Sequence, residues 1–417
     1  MKSIVRINLP DCIIPTEILP GQRHNYDWVK FFNMCSWDID DCMDIDEVDG
    51  KYLSFGLCMT FESDIESCLN KLFANNKKLY NDLLSEKTNL FICVLDCNSI
   101  SSYLEDVIGV LDRYKLPDYS INFIVSGVWP EIEVLDRDKN KRIGFMEYNY
   151  LLSSFDEFDG IEDTKMSKKM YEYTKRNVYT RGFYFNSFNG SCKNHRTALI
   201  YSLIENNILN KGLVSYRAFD KFTHLEESER GLDRKEVYNL LNDEFKIDVN
   251  ENILDKFLSI VPISFDCDYG NIESGPRDFM SNLFAYYTSY FSIVTESFYD
   301  SDRPLIATPI WKSITSFQPF IVFGDKNYLK RLRDYGFKTF SPFIDEQYDS
   351  MDNISDRLRL GVDEVVKLCS MTLLELHEWY SELRPILEHN FKVFNKLKLK
   401  DGFSQKINNF IGNISNG

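Results

Sequence analysis

The sequence predicts an α/β protein built on doubly wound parallel sheets. Three stretches carry this prediction, because in each a short apolar strand leads into a helix and then into another strand. They are NLFICVLDCNS to INFIVSGVWP, FYFNSF to LVSY, and the segment from Phe291 to Asp349. Strands that alternate with helices at this spacing pair in parallel. In such sheets, ligands bind beyond the carboxyl ends of the strands.

The first 150 residues read as one α/β domain. Apolar runs at KSIVRINL, KYLSFGLCMTF, NLFICVLDCNS and INFIVSGVWP are the predicted strands, and helical segments separate the last three. Asp96 follows the clearest strand, which begins at Leu90. A carboxylate at a strand end is a candidate for a functional polar group of this domain. It is equally a candidate for the N-cap of the next helix.

The segment from Phe291 to Asp349 predicts two consecutive βα units. FSIVTES forms a strand that leads to Glu296, the next helix carries Lys312, and PFIVFG forms the second strand. Asp325 is predicted to cap the following helix, and Gly336 is predicted at its C′ position. GFKTF is then predicted to begin one more strand. Glu296 therefore lies where ligands bind in such sheets.

The stretch FNSFNGSCKNHR predicts an anion site. A strand ends at Asn189, small residues turn the chain, and a helix runs from about His195 to Asn207, with Arg196 in its first turn. Free N–H groups and the helix dipole favour an anion there, and an arginine adds charge-assisted hydrogen bonds. The alternative for Arg196 is a surface cation. The predicted buried stripe of this helix is Leu199, Ile200, Leu203 and Ile204.

The length of 417 residues predicts more than one domain, since single cores rarely exceed ~250–300 residues. We expect an N-terminal α/β domain over residues 1–175. A second α/β domain follows over 176–360 and includes a helical insertion at about 226–261. Residues 361–417 are predicted to form helices that pack across the two domains.

Composition excludes some classes of protein. The net charge of −16 argues against non-specific coating of nucleic acid. No stretch approaches the ~20 apolar residues that span a bilayer, and MKSIVRINLPDC is unlike a signal peptide, so the sequence predicts a cytoplasmic protein without membrane contact. The ten cysteines include no C-x-x-C pair, which predicts reduced thiols and no zinc site.

Two charged segments each have two interpretations. DIDDCMDIDEVDG contains Asp-x-Asp twice, which suits either a divalent cation on a diphosphate or a solvated acidic loop, and we expect the loop. KMSKKMYEYTKRNVYTR interleaves basic and aromatic residues, which suits a nucleic-acid backbone or a solvated helix. Its candidate nucleic-acid contacts are Lys168, Lys169, Lys175 and Arg176.

From about residue 180 to 395 the sequence resembles GT-B glycosyltransferases of phages and some bacteria. FNSFNGSCKNHR with GLVSY, SYFSIVTES, and IWKSI…QPFIVFG…YLKRLRDYGFKTF…IDEQYD carry the resemblance, together with the pair His389-Asn390. One departure stands out. The family usually has Glu-Lys-Thr before its aromatic-Lys pair, whereas here Thr308, Pro309 and Ile310 precede Trp311 and Lys312.

The resemblance implies two Rossmann-type domains that face a cleft, and transfer of a sugar from a UDP- or GDP-sugar. Asn189, His195, Arg196, Glu296 and Lys312 match the positions that bind the donor. Arg196 and Lys312 would stabilise the departing diphosphate without a metal, so a divalent cation is not expected. The departure leaves Glu296 as the expected contact for ribose or sugar. If the reaction inverts configuration, it needs a base such as Asp96 or His24.

The acceptor is open between two classes. Relatives in T-even-like phages glucosylate or arabinosylate hydroxymethylcytosine, which implies double-stranded DNA with modified cytosine as the partner and the host cytoplasm as the location. Such an enzyme must flip the base out of the stack. The alternative acceptor is a glycan or a lipid-linked sugar. A further alternative is that the chain is not an enzyme but a protein that binds sugar nucleotides without catalysis.

Overall fold

The structure is a computed structural model of the chain. It describes residues 3–7, 42–48, 50–58, 65–94, 101–126, 142–148, 180–190, 192–216, 232–263, 283–300, 306, 308–398 and 400–415. The chain forms two compact units. The first contains Met1–Glu157 and Lys398–Gly417, and the second contains Phe158–Leu397.

The described strands and helices alternate along most of the chain. The strands are β1 Ser3–Ile7, β2 Cys42–Met43, β3 Tyr52–Cys58, β4 Leu90–Val94, β5 Ile121–Ser126, β6 Gly144–Tyr148, β7 Phe183–Asn189, β8 Gly212–Tyr216, β9 Ser289–Thr295 and β10 Phe320–Phe323. The α-helices are α1 Ile65–Asn75, α2 Lys77–Leu84, α3 Ser101–Tyr114, α4 Asn194–Glu205, α5 Arg234–Asn239, α6 Glu251–Ile260, α7 Leu283–Thr288, α8 Thr308–Thr315, α9 Tyr328–Asp334, α10 Ile354–Ser370, α11 Leu373–Glu382, α12 Arg384–Lys398 and α13 Lys400–Ser415. Short 3₁₀ turns lie at Ile45–Glu47, Leu209–Lys211 and Gln347–Ser350, and a π-helical segment lies at Leu240–Glu244.

The first unit contains a parallel sheet in the order β2-β1-β3-β4-β5-β6. Its core is formed by aliphatic and aromatic side chains of the strands and of α1, α2 and α3. The C-terminal helix α13 packs against β6 of the same sheet. On the same face of the sheet as this helix, the Phe410 ring of α13 meets Phe91 of β4 edge-on at 6.0 Å. Gly144 permits this approach, because a Cβ atom there would lie 2.5 Å from Ile414 Cδ1.

The second unit contains a parallel sheet in the order β10-β9-β7-β8. From the central strand β7 the chain first adds β8 on one side and then adds β9 on the other. The first sheet has the same pattern, with β2 and β3 on opposite sides of β1. Each sheet is therefore doubly wound around one switch point. The predicted fold class, α/β with two Rossmann-type sheets and C-terminal helices, is confirmed.

Helix α4 is more deeply buried than its sequence predicted. Every residue from His195 to Ile204 is buried, not only the predicted stripe. Besides the sheet, α4 contacts α6 and α10, so it has protein on several sides. A helix with polar residues buried all round needs partners for those residues. The partners of its first turn form part of the site described below.

The predicted cap of α9 is wrong. Asn327, in the left-handed conformation at φ +63°, occupies the N-cap position instead of Asp325. The cap hydrogen bonds come from far along the chain, since the Asp349 carboxylate accepts from the N–H of Leu329 at 3.0 Å and of Lys330 at 3.4 Å. Gly336 follows the helix at φ +90°, in agreement with its predicted C′ position.

The predicted strand GFKTF is not a strand. The pair His389-Asn390 on α12 binds this segment instead, because Asn390 bonds both the N–H and the C=O of Lys338 at 2.8 Å. His389 contacts the carbonyl oxygen of Gly336 at 2.9 Å. Glu346 Oε1 accepts from the N–H groups of Phe340 and Ser341. Side chains therefore take the backbone hydrogen bonds that a neighbouring strand would otherwise supply.

The domain boundaries at 175 and 360 stay a prediction, as does the packing of residues 361–417 across the domains. In the described part of the chain, no helix is both long enough and apolar enough to cross a bilayer.

Candidate functional site

The candidate site lies at the switch point of the second sheet, where β7 and β9 end side by side. Two neighbouring strands whose connections leave in opposite directions open a crevice at their carboxyl ends. Asn189 is the last residue of β7, and Thr295 is the last residue of β9. Helix α4 begins five residues after β7 ends. The site predicted from sequence thus falls at the edge where α/β sheets bind ligands.

Asn189 joins three strands. Its side-chain N–H₂ group donates to Ser187 Oγ and to the Ser215 carbonyl oxygen of β8, both at 3.1 Å. Its Oδ1 accepts from Thr295 Oγ1 of β9 at 2.8 Å. The side chain is buried, at 1% exposure. Its contacts in the structure are with protein, and they fix the relative position of the strand ends that border the crevice.

His195 and Arg196 connect the first turn of α4 to the end of β9. The carbonyl oxygen of Glu296 contacts His195 Nε2 at 3.0 Å and accepts from Arg196 Nη2 at 3.1 Å. The same Nη2 lies 3.2 Å from the Thr295 carbonyl oxygen. Both side chains are buried. The sequence predicted His195 and Arg196 at the start of this helix, and the structure adds that their side chains hold the loop after β9.

His195 is neutral over the physiological range. Burial, and then the nearby Arg196 charge, lower the pKa of its imidazole to about 3. Its ring stacks on Tyr299 with centroids 4.9 Å apart and planes 8° from parallel. The lowered pKa and the stacked ring make His195 a fixed, neutral donor.

The Glu296 carboxylate points into the protein. It is 2% exposed, and its Oε1 accepts from the Tyr328 hydroxyl of α9 at 2.5 Å. Gly324 leaves space for this contact, because a Cβ atom there would lie 3.1 Å from Tyr328 Cδ2 and 3.3 Å from Glu296 Cγ. The predicted role of Glu296 as a direct ribose or sugar contact therefore stays a prediction. What the structure shows is a link between the end of β9 and α9.

Lys312 is half-buried on α8, the helix that follows β9. Its neighbours Trp311 and Ser313 are fully buried, so Lys312 is the partly exposed position of this turn. A helix begins near the carboxyl end of the strand that precedes it in a parallel unit. Lys312 comes four residues after the start of α8, about 6 Å along its axis.

A cavity of about 320 Å³ opens where the start of α4 faces the loop after β9. Its lining includes the α4 residues Lys193, Asn194 and His195, the loop residues Ser297 to Asp300, and Glu244 with Phe245. Lys193 occupies the N-cap position of α4, and its side chain makes no capping hydrogen bond. The cavity is large enough for part of a nucleotide, since ligand pockets occupy about 300–1,000 Å³.

Glu244 and Asp300 are lining residues that the sequence did not indicate. Glu244 belongs to the π-helical segment, 50 residues from its hydrogen-bond partner Asn194, and Asp300 follows β9 by five residues. Burial, opposed in part by the Asn194 hydrogen bond, raises the pKa of Glu244, and the Asp300 charge raises it further. The sequence carries no signal for Glu244, because the π-helical segment, of a kind that is frequent at functional sites, is seen only in the structure.

The other predicted site residues lie outside the described residues. These are His24, Asp96, Lys168, Lys169, Lys175 and Arg176. Of the Asp-x-Asp motif, Asp44 and Asp46 are described. Both are exposed, and Asp44 Oδ1 caps the Ile45–Glu47 turn by accepting from the Asp46 N–H at 3.0 Å. Among the residues that the structure describes, no group of three or more His, Cys, Asp or Glu side chains could hold a metal ion.

No family model matches the chain. No curated protein matches it either. Among solved structures, the chain is similar to the N-terminal domain of trehalose-6-phosphate phosphatase from Candida albicans, with 9% identity, a TM-score of 0.44, and coverage of 100% of this chain and 99% of that chain. It is also similar to an alpha,alpha-trehalose-phosphate synthase (UDP-forming) from Burkholderia vietnamiensis, with 11% identity, a TM-score of 0.40 and coverage of 95% of each chain. Similarity at this level does not identify a substrate.

Proposed function

We propose that the protein is a glycosyltransferase that moves a sugar from a nucleotide-sugar donor onto a hydroxyl group. The observation that carries this proposal is the cavity at the switch point of the second sheet, bordered by the start of α4 and by the loop after β9. The resemblance of residues 180–395 to GT-B glycosyltransferases supplies the reaction class.

The chemistry needs positive charge and N–H dipoles where the diphosphate leaves. As the bond between sugar and diphosphate breaks, negative charge grows on the leaving group, and donors placed in advance stabilise it. The first turn of α4 supplies a helix N-terminus, and Lys193 and Arg196 supply charge beside it. Lys312 of α8 is the third cation that we assign to the diphosphate. In this proposal the buried hydrogen bonds of His195 and Asn189 keep the crevice in shape.

For the acceptor we propose 5-hydroxymethylcytosine in double-stranded DNA. This assignment rests on the sequence resemblance to T-even-like phage glucosyl- and arabinosyltransferases. Lys168, Lys169, Lys175 and Arg176 would contact phosphates, and Asp96 would be the base of an inverting reaction.

The test offers a panel of UDP- and GDP-sugars together with DNA that contains hydroxymethylcytosine or cytosine. After digestion of the DNA, the masses of the nucleosides are measured by mass spectrometry. A gain of one sugar mass on hydroxymethylcytosine alone is the expected result. Transfer to an added glycan or lipid-linked acceptor but not to DNA would assign the acceptor to the other class. Donor binding without turnover on any acceptor would identify a non-catalytic binding protein.

Variants test the donor site. Lys312→Ala and Arg196→Ala should each lower kcat about 100-fold or more, as removal of a transition-state donor does elsewhere. Because Arg196 is buried, Arg196→Lys accompanies it as a variant of similar volume, and circular dichroism checks that each variant folds. Lys330→Ala is the matched control, since its ammonium pairs with exposed Asp334 on α9 and should leave the rate unchanged. Wild-type rates in both Lys312→Ala and Arg196→Ala would show that the donor site lies elsewhere.

A further inference from the structure

Glu244 places a carboxylate at the N-terminal end of α4. Its Oε2 accepts from Asn194 Nδ2 at 2.7 Å, and Asn194 is the first residue of the helix. Its backbone carbonyl accepts from Ser355 Oγ of α10 at 3.1 Å, which fixes the end of the π-helical segment. The positive end of a helix dipole stabilises a carboxylate in this position. The same end would stabilise a phosphate of the donor, so the two anions share one source of stabilisation.

Two of the three charged side chains that line this end of the cavity are negative, and the positive charge of Arg196 lies beside the lining residue His195. Glu244 and Asp300 line it together with Lys193, while the lining residue His195 is neutral. Burial raises the pKa of Glu244, the Asn194 hydrogen bond opposes this in part, and the Asp300 charge raises it further, so ionisation of this carboxylate costs free energy. The ionised Glu244 carboxylate therefore repels a negative charge on a ligand at this position, in opposition to the attraction by Lys193 and Arg196.

We propose that Glu244 is a specificity-determining residue that favours the nucleotide-sugar donor over the nucleoside diphosphate product. The inference rests on the proposed function. A nucleotide sugar carries two negative charges on its diphosphate. Once the sugar has left, the terminal phosphate is a monoester with a second pKa near ~6, so the product carries almost one more charge at pH 7. Repulsion by Glu244 acts on both ligands and acts more strongly on the product, which promotes its release.

The variant Glu244→Gln separates charge from shape. Glutamine keeps an oxygen that can accept from Asn194, and it removes the negative charge. We expect UDP to bind more tightly to the variant, with the ratio of UDP affinity to UDP-sugar affinity rising about tenfold at low salt, the order expected for unit charges roughly 12 Å apart near a protein surface. The change should shrink as salt screens the charges. Calorimetric titrations with UDP, a UDP-sugar, GDP and inorganic pyrophosphate measure it.

Glu236→Gln is the matched control. Glu236 is an exposed glutamate of α5 in the same unit, and it does not line the cavity, so its variant should keep the wild-type ratio. Equal changes in the affinities for UDP and UDP-sugar in Glu244→Gln, or no change in either, would overturn the inference while leaving the proposed function intact. If the wild type binds no nucleotide but pyrophosphate binds more tightly to Glu244→Gln, the proposed function fails and the repulsion by Glu244 stands.

Discussion

Polar side chains at the carboxyl edge of the second sheet bond mainly to the backbone and to one another. Asn189 joins three strands, and His195 and Arg196 share the carbonyl oxygen of Glu296. Buried polar groups are costly unless they are paired, so this network both stabilises and positions the strand ends. The same residues that resemble donor contacts in sequence are therefore also parts of the scaffold.

The buried imidazole of His195 should make the second unit sensitive to acid. Its pKa is about 3 in the folded protein and about 6.5 when exposed, so the unfolded chain binds the proton more readily. Stability from this group is present above pH 6.5 and is lost as pH falls, by about 2 kcal/mol at pH 5. Urea unfolding of the wild type and of His195→Gln between pH 7.5 and 5 measures the difference.

Glutamine can donate to the Glu296 carbonyl but does not titrate, so His195→Gln should lack this part of the pH dependence. It should be less stable than the wild type at pH 7.5, because it loses the stacked contact with Tyr299. His377→Gln is the matched control variant, since His377 is partly exposed and bonds the Tyr290 hydroxyl. Parallel pH curves for the wild type and His195→Gln would contradict the buried neutral imidazole.

The sequence predicted Asn189, Arg196 and Glu296 near strand ends and a helix start, where the structure has them, but it could not give the directions of their side chains. Strand ends and helix starts follow from local hydrophobic patterns, and parallel pairing then brings Asn189, Arg196 and Glu296 together. Whether a side chain turns toward solvent or toward a carbonyl depends on distant partners. Tyr328, 32 residues after Glu296, draws that carboxylate inward. Glu244 was missed for the same reason, because its partner Asn194 is 50 residues away.

At the scale of elements, the correct predictions are those that local sequence decides. The strands β7, β9 and β10 and the helices α4 and α8 lie close to their predicted positions. The errors lie at α9 and just after it, where Asp349 supplies the cap and Asn390 takes the place of a strand partner. Local propensity cannot anticipate a hydrogen bond that joins residues 20 or 52 positions apart.

Replacement of Asn390 tests whether the His389-Asn390 pair holds the segment after α9. Asn390 is buried at 1% exposure and satisfies both backbone groups of Lys338. Asn390→Ala should lower the free energy of unfolding by about 1–3 kcal/mol, the cost of leaving such groups without their partner. Hydrogen exchange should rise at the Lys338 amide.

Asn395 provides the matched control on the same helix. It is exposed, and its amide donates to the Phe391 carbonyl oxygen of its own helix. Asn395→Ala should change stability by no more than about 0.5 kcal/mol, as is usual for surface positions. Equal effects of the two substitutions would mean that the contacts of Asn390 with Lys338 do not hold the segment.

At the scale of the whole molecule, the chain leaves the first unit and returns to it. Residues 1–157 form most of that unit, and 398–417 complete it. The sequence predicted C-terminal helices but not that α13 packs on β6 of the first sheet. An amphipathic helix indicates which of its faces is buried, whereas its partner depends on the course of the chain. Because residues 398–417 complete the first unit, the stability of that unit depends on these C-terminal residues.

Deletion of residues 400–417 should therefore weaken the first sheet. Ile407 and Ile411 of α13 are buried at 0% and 6% exposure, and loss of two such side chains costs about 3–6 kcal/mol. That is a large part of the stability of a typical domain. Hydrogen exchange of the truncated chain should show lost protection in β4, β5 and β6. Protection in β7, β9 and β10 should stay at the wild-type level.

A point variant separates loss of packing from loss of chain. Ile407→Ala should reduce protection in the same three strands at a cost of about 2–5 kcal/mol, the range for aliphatic truncation in a core. Asn409→Ala, at an exposed position of the same helix, should have no such effect. If the truncated chain keeps wild-type protection in β4–β6, then α13 is dispensable for the first sheet. If protection falls equally in β7–β10, the two units do not hold their stability separately, and the division at residue 398 loses its thermodynamic meaning.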